Sequence, residues 1–182
     1  MACKTFRLYA FFVFPISNSC TTYNLFIGQN TKKYFRSVKS LPKRRLYMNI
    51  KFINSEQRRF FETNVEKLGI ARDPYRLALV YALSLTENCR KHFNKCYNTS
   101  TRRICLDVLD SDWTTGTDMK VIHLGFCLFT ARIPTVYSER DFENRFWEAY
   151  SYNPSELFCT SLAPYFFEAI KLRYSEYFDD ED

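Results

Sequence analysis

Glycine is scarce in this chain, with four residues in 182: Gly28, Gly69, Gly116 and Gly125. Phosphate-binding loops need several glycines within a few positions of one another, so this sequence carries neither a P-loop nor a dinucleotide fingerprint. No HExxH pair occurs either. Long apolar runs are missing too. The most hydrophobic stretch, residues 8–16 (LYAFFVFPI), is about half as long as the roughly 18–20 residues that cross a bilayer. No membrane span is expected.

Acidic residues are absent from residues 1–47, which hold nine of the 26 basic residues and none of the 20 acidic ones. The formal charge of +6 therefore belongs to the N-terminal segment, and the rest of the chain is slightly acidic, ending in Asp179, Asp180, Glu181 and Asp182. A domain that grips nucleic acid through phosphates needs clustered Lys and Arg, which sets residues 48–182 against that role. Paired Cys-x-x-Cys knuckles are lacking as well. The seven cysteines are odd in number and scattered through apolar stretches, which predicts reduced, buried small hydrophobes in a cytoplasmic setting and no disulfide framework.

What the chain has in quantity is aromatic side chains: 18 Phe, 13 Tyr and two Trp, 18% of its residues. Each ring can remove on the order of 150–250 Å² from water, so few side chains suffice to fill a core. Residues 1–47 read as a basic, aromatic N-terminal extension outside the fold. Lys4 and Arg7 before the apolar run resemble a signal peptide, but Pro15 interrupts it and no small-x-small site follows. A targeting segment and a basic interaction arm are the alternatives. Met48 is the expected start of a helical domain over 48–178, followed by the acidic tail 179–182.

From Met48 the helix signals are orderly. Asn54 or Ser55 caps a helix over 55–68, with Phe60, Phe61, Val65 and Leu68 at helical spacing and Gly69 as its stop. Asp73-Pro74 opens a second helix over 74–85, apolar nearly all round and therefore central. Thr86 caps a third over 87–96, and a small β element is expected near residues 102–108. Thr117 is expected to cap a helix over 118–131, which Pro134 ends. Residues 139–150 (ERDFENRFWEAY) look amphipathic, with Phe142, Phe146, Trp147 and Tyr150 predicted to face inward. Asn153-Pro154 starts a short helical turn. Ala163-Pro164 opens the last helix, 163–174, where Phe166, Ile170 and Arg173 form one stripe with Phe167 and Tyr174 beside it, and Glu168 and Lys171 on the polar side. The expected fold is mainly α, a single helical bundle of five to six helices.

The stretches DWTTGTDMKVIHLGFCLF and YNPSELFCTSLAPYFFEAIKLRYSEYF, with INSEQRRFFE and VYALSLTENCR, resemble an uncharacterised family of small proteins from Firmicutes bacteria and their phages. The resemblance covers nearly all of residues 48–178 and leaves residues 1–47 outside. It implies a compact domain of bacterial or phage source and brings no catalytic residues with it.

Three constellations are chemical candidates. Cys89, His92 and Cys96 share a helical face and offer thiolate and imidazole to zinc, with Cys105 or His123 as a distant fourth ligand. The loop with Trp113, Thr115, Gly116 and Thr117, helped by Lys120, could hold an anion at a helix start; the simpler reading is that Trp113 anchors the loop by burial. His123 and Cys127 lie one turn apart, but no nucleophile signature surrounds them, and His123 fits a core histidine. Glu139, Asp141, Glu143 and Glu148 alternate with Arg140 and Arg145 as a solvated face. The basic pairs Arg58-Arg59 and Arg102-Arg103, with Lys91 and Lys95, give nucleic acid a foothold. No cofactor is implied. The expectation is a non-enzymatic protein-interaction domain, an accessory or inhibitory factor acting on a host protein. A nucleic-acid-associated accessory protein, acting through the basic N-terminal segment, and a small enzyme or anion-binding domain using the 113–120 loop are the alternatives.

Overall fold

Helix α1, Ser55–Leu68, begins where Asn54 turns its side-chain oxygen onto the amide of Gln57 at 2.8 Å. It ends where Gly69 takes a φ of 64°, a conformation costly for any residue with a Cβ. Gln57 is fully buried and completely engaged. Its carbonyl oxygen accepts from the Ile53 amide at 2.7 Å, and its amide donates to Ser84 Oγ at 3.1 Å, tying α1 to the end of the next helix.

Helix α2, Pro74–Ser84, opens as expected with the Asp73 cap and Pro74 in the first turn. Every residue from Leu77 to Ser84 is buried, because α1, α5 (Gly116–Thr130) and α8 (Ala163–Arg173) all pack around it. Gly125 lets α5 approach closely: a Cβ there would come 3.3 Å from both Ala82 Cβ and Leu79 Cδ1. Phe52, Phe61 and Tyr81 form a triangle of rings with centroids 5.6–5.7 Å apart. The Tyr81 hydroxyl donates to the Lys51 carbonyl, and burial pushes its pKa up.

The helix expected over 87–96 is broken. It forms α3, Glu87–Lys91, and α4, Phe93–Cys96, separated at His92, whose φ of −104° and ψ of 23° leave the helical region. The small β element is a hairpin of β1, Tyr97–Asn98, and β2, Arg103–Ile104, pairing Tyr97 with Ile104 and Asn98 with Arg103. Asn98 closes its turn by accepting from the amides of Ser100 and Thr101. Residues Leu106–Asp110 form a 3₁₀ turn.

Beyond α5 come α6, Phe142–Tyr150, α7, Pro154–Leu157, and α8, which leads into a 3₁₀ turn over Ser175–Tyr177. The computed structural model describes residues 50–178, so the expectations for residues 1–47 and for the acidic tail lie outside the described residues. Within them the fold is mainly α: five helices of nine or more residues, three single-turn helices and one two-stranded hairpin.

The last helix departs from its expected faces. Phe166 is fully buried, but Phe167 is 55% exposed, while Glu168, placed on the polar side by spacing, is only 4% exposed. Its carboxylate accepts from Lys171 Nζ at 3.3 Å. Arg173 is buried as well. Its guanidinium lies 3.4 Å from the Tyr75 ring centroid and 4.6 Å from that of Tyr174, and its Nε donates to the Leu128 carbonyl at 3.0 Å. The cation is thus clamped between two rings and the end of α5. Both departures arise because α8 is wrapped from more than one side, which spacing within α8 alone does not encode.

Candidate functional site

The 112–120 loop begins with a correction. Thr115, not Thr117, caps α5, since its hydroxyl accepts from the Asp118 amide at 3.2 Å and the Asp118 carboxylate accepts from the Thr115 amide at 2.9 Å. This reciprocal pair starts the helix at Gly116 and leaves Thr117 exposed in its first turn. Asp118 is 2% exposed and also accepts from the Thr115 hydroxyl at 2.7 Å and from Asn88 Nδ2 at 2.9 Å. Burial by itself would raise the Asp118 pKa. The hydrogen bonds from Thr86, Asn88 and Thr115 outweigh that and hold the carboxyl below its ordinary value. A carboxylate therefore already occupies the positive end of α5, where the loop was expected to receive an anion.

Trp113 closes the other side of this joint. Its ring stacks on His92 with centroids 4.3 Å apart and an interplanar angle of 20°. Its indole Nε1 is buried and finds no hydrogen-bond partner among the described residues. His92 donates from Nδ1 to the Asn88 carbonyl at 3.0 Å. Lys120 donates to the Cys159 carbonyl at 2.9 Å, which commits it to the segment after α7. Asp118 and Trp113 thus tie the α3 region to α5 and Lys120 ties the 159 region to it, whereas Thr115 caps its own helix and Gly116 and Thr117 lie open to solvent.

The same joint separates the expected metal ligands. Cys89 and Cys96 are both fully buried free thiols, hydrogen-bonded to one another, and Cys89 Sγ lies 3.9 Å from Asp118 Oδ1. The Cys89 partner and burial push the Cys96 thiol up, away from thiolate. His92 leaves their face at the helix break to meet Trp113. Among the described residues no three His, Cys, Asp or Glu side chains converge to hold a metal ion. The described cysteines are all free thiols.

His123 is 7% exposed and stacked at 4.4 Å on Tyr152, whose hydroxyl donates to the Pro134 carbonyl at 3.0 Å. Burial lowers its pKa to about 4 and raises that of Cys127. Neither shift makes a nucleophile and base pair, since the imidazole is a weak base and the thiol stays protonated. Several of the basic residues are paired with acids: Arg58 with Glu62 at 3.0 Å, Lys91 with Glu87 at 2.6 Å and Arg90 with Glu56 at 3.6 Å. An open groove of about 470 Å³ between α1 and α3 carries the Lys91–Glu87 and Arg90–Glu56 pairs, with Arg59 and Phe60 on its wall.

Helix α6 presents a different surface, and it corrects another expectation. Asp141 caps it, but none of its residues is buried. Phe142 is 79% exposed, Phe146 55%, Trp147 59% and Tyr150 47%. The rings touch one another: Phe146 and Trp147 centroids are 5.6 Å apart, and Trp147 and Tyr150 6.2 Å. The inward side of α6 is instead polar. Glu148 Oε1 accepts from the Val136 amide at 3.1 Å, holding the loop with Ile133, Val136 and Tyr137 beside the helix, and those three side chains are exposed too. An aromatic cluster in water costs the fold its burial energy, roughly 25 cal/mol for each Å² left uncovered. Few contiguous apolar faces of this kind are left uncovered on a folded monomer.

The family of unknown function DUF6075 matches residues 47–182. The chain belongs to this family. No curated protein and no solved structure matches it. The DUF6075 match includes the α3–α5 joint and the α6 face alike, and no helix among the described residues is long and apolar enough to cross a membrane.

The α6 face escaped the sequence reading because spacing reports that a helix is two-faced and not which face is covered. A compositional signal was available. The nine residues FENRFWEAY contain no Leu, Ile or Val, whereas the core helices α2 and α5 of this DUF6075 domain are rich in them. Interfaces favour Tyr, Trp, Phe and Arg, and cores favour aliphatics.

Proposed function

We propose that this domain acts without catalysis, by binding protein through the aromatic face of α6. The single observation that carries this reading is the exposure of Phe142, Phe146, Trp147 and Tyr150 on a helix that gives no residue to the core. Large, rigid rings anchor interfaces at low entropic cost, and Trp and Tyr lead among binding hot spots. Arg145 and the surrounding carboxylates supply a polar rim. With the Firmicutes or phage source that the sequence resemblance implies, the partner is a host protein and the domain an accessory or inhibitory factor in the cytoplasm.

The test is site-specific photo-crosslinking in the native host, with benzoylphenylalanine placed at Phe146 and, as control, at Glu66 on α1. Protein adducts specific to position 146 are expected. Equal adduct patterns at both positions would contradict the reading. A second reading, a nucleic-acid accessory protein, rests on the unopposed basic charge of residues 1–47. It assigns binding to that segment as a salt-sensitive, sequence-independent affinity, and tight sequence-dependent binding by residues 48–182 would refute it.

A further inference from the structure

Resting on the reading of α6 as an interaction face, we infer that one occupant of that face is a second copy of this chain, paired antiparallel about a two-fold axis through Phe146. The face has the pattern such pairing needs. Phe142, Phe146 and Tyr150 recur at intervals of four along α6, so they lie in one row of neighbouring turns. A two-fold axis at Phe146 sets Phe142 against Tyr150 of the second copy, and Phe146 against its own counterpart. The row is therefore its own complement in size and chemistry, which an isologous interface requires. Exposed charge on α6 does not oppose this. Glu143 is exposed, Arg145 and Glu148 are half-buried, and the three sum to a single negative charge.

The area is of the right order as well. Four rings of roughly 150–250 Å² each, exposed to the fractions given above, leave on the order of 500 Å² in water. Two copies would together bury on the order of 1,000 Å², the lower end of the range for specific interfaces and the size of a weak, reversible dimer. A face that pairs with itself is open to a host protein only in the monomer. Self-association thus competes with host binding and sets how much free face is on offer.

Sedimentation equilibrium of the full chain tests this. At a concentration on the order of 100 µM, the wild-type chain is expected at twice its 21.8 kDa mass. Phe146→Glu is expected to weaken the dimer by about thirtyfold or more, because each substitution meets itself across the axis. Trp147→Ser is a milder second variant, and unchanged circular dichroism of both shows that the fold is intact. A wild-type chain that stays monomeric, or a dimer that both variants leave intact, overturns the inference. A monomer that still crosslinks from position 146 to a distinct host protein removes the self-pairing and leaves the face as a protein site. A monomer whose Trp emission shifts on phosphatidylcholine vesicles, with no protein adduct, overturns both.

Discussion

Two clusters of rings in this domain have nearly the same composition and opposite surroundings. Phe52, Phe61 and Tyr81 interlock between α1 and α2, with Phe61 and Tyr81 entirely out of water. Phe146, Trp147 and Tyr150 interlock just as closely on α6, yet each is about half or more exposed. Ring-to-ring contact is therefore not what distinguishes a core from a surface here. The difference lies in what stands behind the rings: aliphatic α2 on one side, and solvent on the other. The first cluster is stabilised within the chain, whereas the second gains its burial only when another molecule supplies it.

The sharpest way to break that comparison is to truncate one ring in the first cluster. Phe61→Ala should cost roughly 3–5 kcal/mol, measured by urea unfolding, because its cavity is walled by packed helices. A loss below about 1 kcal/mol would mean that the core closes over the gap and that its rings are not held as described.

A smaller effect separates the buried side of α5 from the surface by pH. His123 is held by burial at about 4, below its ordinary 6.5. As pH falls from 6.5 towards 4 the unfolded chain takes up this proton before the folded one, so stability falls across that window and this contribution levels off below it. The loss amounts to about 3 kcal/mol. His123→Gln should flatten that part of the profile relative to wild type, whatever its effect at neutral pH. Identical slopes in the two proteins would show that His123 is solvated.

Much of the scaffold could be read directly because its signals are local. Asn54, Asp73-Pro74, Thr86 and Asn153-Pro154 each start a helix with a cap that acts within three residues, and Gly69 stops one in the same way. Where several residues compete locally, the reading slipped. Thr114, Thr115 and Thr117 are all capable caps, and the carboxylate of Asp118 decides for Thr115 by closing the reciprocal pair. Where the deciding contact is distant, the sequence was silent. His92, where the helix breaks, stacks on the distant Trp113, the burial of Glu168 depends on elements beyond α8, and the outward face of α6 depends on the absence of a neighbour among the described residues. Asp118 and Trp113 of the 112–120 loop tie α5 to the α3 region, and the exposed aromatic face lies some thirty residues further on.

The smallest expected effect on stability is also the most direct test of the α6 face. Urea unfolding of Phe146→Ser/Trp147→Ser and of the wild-type chain should be compared at a protein concentration low enough to keep both monomeric. Replacing two half-exposed rings on a face that covers nothing should leave the unfolding free energies within about 0.5 kcal/mol of one another. A loss of several kcal/mol, comparable with Phe61→Ala, would show that these rings hold the fold together and that α6 offers no free face for a partner.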